Sequence, residues 1–253
     1  MKRRDIQPIY AETYQRKKRT RRVVFGIFLL LLIGLSTFFL LRWHENEQLK
    51  KYPIRGVTID QSNGYIDFES LKNKGISFVY LKATQGAAFT DDSFESNFQR
   101  NQGLQLPIGV YHYFSFTSSP VAQFKNFVRQ VKDNTGSLPI CIQIQYYGTF
   151  DQSTVHWQTA RKEVSQLSHL LRQYYKRPVV ISTTQQIIRH LKLKANDKTQ
   201  FWLTDGQIGP PPNAGATFIQ ADDKAGYKLD RQLVFLPMSV FNGNRRQWRG
   251  YVD

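Results

Sequence analysis

The segment LPICIQIQYYG, residues 138 to 148, sets Gln143 and Gln145 two residues apart in an apolar run that reads as a strand. Side chains at i and i+2 of a strand share a face, so both amides point into one pocket. Two carboxylates in these places would form an acid–base pair. A carboxamide has nearly the same shape and hydrogen-bonds well, but it neither ionises nor delivers a proton near neutral pH. The pair is therefore suited to holding a polar ligand and unsuited to proton transfer. The sequence shows no His/Cys/Asp cluster with metal-ligand spacing, no phosphate-cradling glycine loop and no Ser-His-Asp arrangement, and it implies no cofactor.

The elements that must position this pair begin at Ile54, where short apolar runs alternate with amphipathic stretches, the pattern of an α/β fold. Eight runs read as strands: 54–59, 76–83, 107–115, 139–145, 177–183, 201–204, 216–221 and 231–236. Helix candidates fall around 67–74, 92–102, 120–134, 155–175 and 184–192. The clearest is VHWQTARKEVSQLSHLLRQYY, in which Val155, Ala160, Val164, Leu167, Leu171 and Tyr174 recur at helical spacing. Eight strands suffice for a barrel. Because DGQIGPPPNAG, residues 205 to 215, is rich in Gly and Pro, the second half should carry loops in place of long helices. The expected architecture is an irregular, TIM-like β/α barrel behind a single N-terminal transmembrane helix.

The anchor reads directly from VVFGIFLLLLIGLSTFFLL, Val23 to Leu41, nineteen residues without a charge. As a helix it spans roughly 28 Å, close to the hydrocarbon thickness of a bilayer. The rival reading is a cleaved signal peptide, whose apolar region is usually about 7 to 15 residues long and ends in a small-x-small site. This run is longer, and FFLLRW offers no such site. Residues 1–22 carry nine basic residues against Asp5 and Glu12, so the amino terminus should stay cytoplasmic and the remainder should face outward. A topology signal accounts for this basic tail without calling on nucleic acid. The expected organisation is a tail over 1–22, a span over 23–41, a polar stalk over 42–53 and a barrel domain over 54–253. The lone Cys141 cannot form an internal disulfide and reads as a small buried hydrophobe.

Several segments, in order, resemble glycoside hydrolase family 25, lysozymes that cleave peptidoglycan between N-acetylmuramic acid and N-acetylglucosamine. GVTIDQSNGYIDFESLKNKGISFVYLKATQG resembles the family's opening strand with its Asp, its first helix and the strand ending in KATEG. FTDDSFESNFQRNQGLQLPIGVYHYF is similar to the block ending in the YHF strand, LPICIQIQ to LPxxLDxE, RPVVISTTQ to PxIYT, FWLTD to the WIA strand, FIQ to the WQ strand and MSVFNG to DLNVFNG. The resemblance spans about residues 54 to 245 and implies a site at the C-terminal ends of the barrel strands. Asp60 matches the first-strand acid. Gln85 stands at the Glu of KATEG, Gln143 and Gln145 stand at the DxE pair, and Pro237 stands at the late Asp.

Glycoside hydrolysis needs a proton donor for the leaving oxygen and a second group that stabilises the oxocarbenium-like centre or activates water. The family's donor position is Gln145 here, so the resemblance implies a domain that binds peptidoglycan glycan with lost or much reduced muramidase activity. Gln85, Tyr111, Gln143, Gln145, Trp202 and Gln220 are its expected glycan contacts, and Tyr113 and Tyr146 are further candidates for stacking on sugar rings. The alternatives are a working muramidase that uses Asp60 with a substitute acid, for which Asp222 and Asp223 are candidates, and a non-catalytic scaffold in a wall complex. Asp60 itself reads as a partner for neighbouring backbone and for Gln145. His112 reads as a core or supporting histidine, and NRRQWRGY, residues 244 to 251, as a basic patch. The positive charge of the outer domain suits anionic wall polymers as further partners.

Overall fold

A computed structural model of the chain describes residues 11–196, 199–206, 208, 215–230 and 232–252. The first part of the basic tail, including Lys2, Arg3 and Arg4, and most of the 205–215 loop lie outside the described residues. The chain divides into two compact units, Met1–Lys50 and Lys51–Asp253.

The first unit is the helix α1, Ala11–Lys50. Its stretch Arg21–Leu40 has a mean hydropathy of 2.7 and is long and apolar enough to cross a membrane. The hydroxyl of Thr37 donates to the carbonyls of Ile33 and Gly34, at 3.0 and 2.9 Å, so this polar group is satisfied within the helix. Helix continues through Lys50 and so covers most of the segment expected as a stalk, 42–53: RWHENEQLK prolongs α1 because it contains no Gly or Pro to end it.

The second unit alternates strands and helices. In chain order these are β1 Arg55–Ile59, α2 Phe68–Asn73, β2 Ile76–Gln85, β3 Phe89–Thr90, α3 Phe94–Asn101, β4 Ile108–Tyr113, α4 Pro120–Val131, β5 Ile140–Gln143 and α5 Trp157–Tyr175. There follow β6 Val179–Thr183, α6 Gln185–Leu191, β7 Thr199–Leu203, β8 Ala216–Leu229, β9 Gln232–Phe241 and α7 Arg245–Val252. The sheet order β1-β9-β8-β7-β6-β5-β4-β2 closes through a β1–β2 pairing into an eight-stranded barrel, with β3 appended to the edge of β2. Neighbours from β1 through β8 run parallel, whereas β9 is antiparallel to both β8 and β1.

Two apolar compartments follow from the side-chain alternation along the strands. Outward residues such as Val57, Ile59, Val79, Leu81, Ile142, Ile144, Val179 and Ile181 join Phe127, Val164, Leu167 and Leu171 of the helices in the larger core. Inward residues fill the barrel with aromatic rings: Phe78, Tyr80, Trp202, Phe218 and Phe241. Helix α7 closes its lower end with Trp248, whose ring lies 5.2 Å from Phe78 and 5.1 Å from Phe241. The segment read as a basic patch is therefore a helix with one buried face, leaving Arg245, Arg246 and Arg249 exposed.

The barrel accepts so many rings because the two strands flanking β2 give way. A Cβ on Gly56 would lie 2.3 Å from the Phe78 ring, and one on Gly109 would lie 2.2 Å from the Tyr80 ring. Tyr80 cannot step aside, because it is fully buried and its hydroxyl donates to the carbonyl of Pro139 at 3.1 Å.

The strands β8 and β9 outrun their expected bounds of 216–221 and 231–236, pairing from Phe218↔Phe241 out to Leu229↔Gln232. The added length is a hairpin that keeps Leu229 and Leu236 buried, and at the other end the strand MSVF that seals the barrel against β1.

Gly109→Ala should destabilise the chain by about 1–3 kcal/mol through overpacking against Tyr80. Trp248→Ala should cost about 3–5 kcal/mol by emptying the lower plug. Both losses would appear as lower urea midpoints for the detergent-solubilised full chain, followed by near-UV circular dichroism.

Candidate functional site

At the carboxyl ends of the barrel strands the aromatic filling gives way to polar side chains around a cavity of about 330 Å³. Its wall is built strand by strand from inward positions: Thr58 and Asp60 from β1 and its end, Lys82 from β2, Tyr111 and Tyr113 from β4, and Cys141 and Gln143 from β5 with Gln145 just beyond. Ser182, Trp202, Gln220 and Pro237 complete the ring from β6 to β9. The volume lies within the range of small-molecule sites.

Gln143 and Gln145 share this cavity because the extended backbone persists past the end of β5. The N–H of Ile144 donates to the carbonyl of Ser182 at 2.8 Å, and the carbonyl of Ile144 accepts from the Thr183 hydroxyl at 2.7 Å. Ile144 is thereby buried on the outer face and both amides point inward.

Asp60 sits at the turn that leaves β1. Its Oδ1 accepts from the N–H of Ser62 at 2.9 Å, while its own N–H donates to Asn63 Oδ1 at 2.9 Å. This reciprocal cap fixes the turn Gln61–Asn63. A second clamp holds the same turn from outside: Asp91 Oδ2 accepts from the N–H of Gln61 at 2.8 Å, and the N–H of Asp92 donates to Gln61 Oε1 at 2.9 Å. Asp91 was not singled out from the sequence. It is 1% exposed, and burial, the largest effect on it, raises its carboxyl pKa. It does not line the cavity, and Ser93 N–H occupies its other oxygen at 3.1 Å, so it supports the turn and does not reach a ligand.

Trp202 is 2% exposed and belongs mainly to the floor, its indole N–H donating to Ser239 Oγ at 3.0 Å. Tyr111 is similarly buried, and desolvation, followed by the charges of Asp60 and Asp91, pushes its phenol well above the ordinary range. Gln85 is not part of the cavity wall; its Oε1 accepts from Lys82 Nζ at 3.1 Å. Lys82, which sequence reasoning missed, does line the cavity. Its signal was the inward alternation Phe78, Tyr80, Lys82.

Several expected contacts are placed elsewhere. Tyr146 turns outward and packs edge-on against Trp157, with centroids 6.2 Å apart, because the inward positions on either side of Ile144 are already Gln143 and Gln145. Asp222 and Asp223 are exposed on the β8–β9 hairpin and do not line the cavity, since β8 has left the barrel by that point; Asp222 accepts from the N–H of Lys224 at 2.8 Å. Among the described residues, no group of three or more His, Cys, Asp or Glu could hold a metal.

His112 points outward from β4 and is fully buried. Gln123 donates its Nε2 hydrogens to the carbonyls of Ser115 and Ser118, so its Oε1 is an acceptor and receives a hydrogen bond from the Nε2–H of His112 at 2.9 Å. Nδ1 then accepts from the Thr84 hydroxyl at 2.7 Å. A shift in register between Lys82 and Thr84 makes this possible, turning Lys82 into the barrel and Thr84 out toward His112.

Fold and cavity together define a β/α-barrel protein with a polar ligand site at the carboxyl ends of its strands. The chain belongs to the glycosyl hydrolases family 25, whose sequence profile matches residues 57–224. The fold is similar to that of a family 25 glycosyl hydrolase from Bacillus anthracis, with a TM-score of 0.72 and 25% identity over 80% of this chain and 95% of the other. A bacterial lysozyme from Streptomyces coelicolor shares the fold at a TM-score of 0.65 and 22% identity, covering 79% of this chain and 96% of that one. In sequence, the chain is 26% identical to the Escherichia coli protein YegX over 211 residues, 80% of this chain and 74% of YegX. It is also 30% identical to the autolytic lysozyme of Clostridium acetobutylicum over 78 residues, 31% of this chain and 24% of that enzyme.

Burial, above all, holds the His112 pKa down to about 4. The unfolded chain takes up this proton near pH 6.5, whereas the folded state refuses it until about pH 4, so stability falls as pH drops through that window. Between pH 7 and 5 the expected loss is on the order of 2 kcal/mol by urea unfolding, and His112→Asn should remove that part of the slope.

Proposed function

We propose that this chain is a membrane-anchored, extracytoplasmic domain that binds peptidoglycan glycan and has lost most or all muramidase activity. The observation that carries the reading is the composition of the cavity: among the described residues Asp60 is the one carboxylate on its wall, which it shares with the neutral amides of Gln143 and Gln145. A glycosidase of this kind works with two carboxyl groups flanking the scissile bond. An amide at the donor position forfeits the roughly 10²- to 10⁴-fold supplied by a positioned acid. Gln85 and Pro237, at the remaining acidic positions implied by the family resemblance, leave no anion there to stabilise a developing cation. What the cavity keeps is suited to binding. Amides and hydroxyls match sugar hydroxyls and N-acetyl groups, the half-buried Tyr113 offers ring surface, and Tyr111 and Trp202 close the floor beneath.

Anchoring is supported by Arg21–Leu40 and by the basic residues of the tail on its amino side, which favour a cytoplasmic amino terminus. The barrel, 54–253, is then presented to the wall.

The test is to incubate the detergent-solubilised full chain with insoluble peptidoglycan and follow both co-sedimentation and new reducing ends. Co-sedimentation without release is expected. Turnover at the rate of an ordinary lysozyme would defeat the proposal in favour of a working muramidase, and the absence of both would point to a scaffold. The combined variant Gln85→Glu, Gln143→Asp, Gln145→Glu should raise reducing-end release by about a hundredfold over the parent chain.

A further inference from the structure

Among the described residues, Lys82 is the one cation on the cavity wall, and although it shares that wall with Asp60 and its charge is felt by Asp91, it is in ion-pair contact with neither. Lys82 Nζ lies 5.0 Å from the ring centre of Phe89 and 5.6 Å from that of Tyr113, and its described hydrogen bond goes to the neutral amide of Gln85. Among the described residues, no carboxylate lies within ion-pair distance of it. Asp91 has its oxygens bound to the N–H groups of Gln61 and Ser93, and Asp60 Oδ1 is held by Ser62. An ammonium has three donors, and one is accounted for by Gln85. Two aromatic faces favour the cation without neutralising it. The result is a half-buried positive charge at the wall of a concave polar site, beside amides that add no negative charge of their own.

We propose that Lys82 makes this cavity selective for an acidic glycan, its ammonium receiving a carboxylate or phosphate carried by the bound saccharide. The inference rests on the glycan-binding reading above and narrows its ligand. Gln85 is what makes Lys82 available: a carboxylate in its place, 3.1 Å from Nζ, would close an internal ion pair and withdraw the cation from any ligand. Two sources supply the same chemistry. One is a peptidoglycan strand stripped of its peptides, whose sugar carboxylates are free, and the other is a sugar-phosphate or polyol-phosphate polymer of the wall.

The test measures binding of the detergent-solubilised full chain to three probes at low salt: peptide-stripped glycan strands, poly(glycerol phosphate) and a neutral N-acetylglucosamine oligomer. At least one acidic probe should bind about tenfold or more tightly than the neutral one, with the preference weakening as salt rises. The acidic probe that shows the preference identifies the source. Lys82→Met and Gln85→Glu should each erase the preference, the first by removing the cation and the second by pairing it. The second is nearly isosteric and keeps the fold testable should the first perturb it. Equal binding of all three probes, or a preference that survives both variants, would overturn the role of Lys82 while leaving glycan binding intact. Failure of every probe to bind would overturn the glycan-binding reading along with it.

Discussion

The structure depends on filling the barrel. Eight strands enclose a space that side chains must occupy, and here rings occupy it: Tyr80 lies 4.9 Å from Trp202 and Trp202 5.3 Å from Phe218, between centroids. Such bulk fits because Gly56 and Gly109 present no Cβ to the rings opposite them. The stack sets the depth of the cavity above it, since the top of the stack, Tyr111 and Trp202, is also the cavity floor. Binding geometry and core packing are thus one problem, and the hydrogen bond from Trp202 to Ser239 couples the floor to the strand that closes the barrel.

Above that floor the electrostatics are sparse. Concentrated carboxylates in a concave site repel one another, and each must be hydrogen-bonded or protonated. Among the residues lining this cavity the charges reduce to Asp60 and Lys82, and the remaining polar groups are amides and hydroxyls. Amides cost less to desolvate than ions and can both donate and accept, so they can grip a polyhydroxylated ligand without ionising themselves. Burial also keeps the neighbouring Cys141 thiol protonated by raising its pKa, which leaves it a packing residue.

The alternation of the sequence made the barrel legible because period-2 and period-3.6 patterns report which face is buried. The helix from 155 to 175 and the strand at Gln143 follow from it directly. What escaped were features that depend on partners far along the chain. The strand MSVF acquires its meaning only by pairing with Arg55–Val57, and the packed face of α7 is the buried Trp248 with Tyr251 and Val252 at the helix end, too short a pattern to stand out amid the arginines. At the site, the inward amides could be read from spacing alone, whereas Asp91 could not, because its role comes from meeting the backbone of Gln61 thirty residues earlier. Tyr146 failed for a simpler reason. The alternation that turns Gln143 and Gln145 inward turns Tyr146 outward, so it packs edge-on against Trp157 of a helix and not over the cavity.

Under the proposed reading, the anchor and the uncutting pocket reinforce each other. A single cavity of this size, holding sugars by neutral hydrogen bonds and one ammonium, supplies only modest affinity, because each exchange of a water contact for an amide contact contributes little net free energy. Tethering the domain to the surface from which its ligand extends replaces free encounter with an effective concentration, which for short linkers reaches the millimolar range. A site of weak intrinsic affinity is then largely occupied while each contact remains short-lived. Hydrolysis would work against this arrangement, since it would destroy the ligand that the tether keeps within reach.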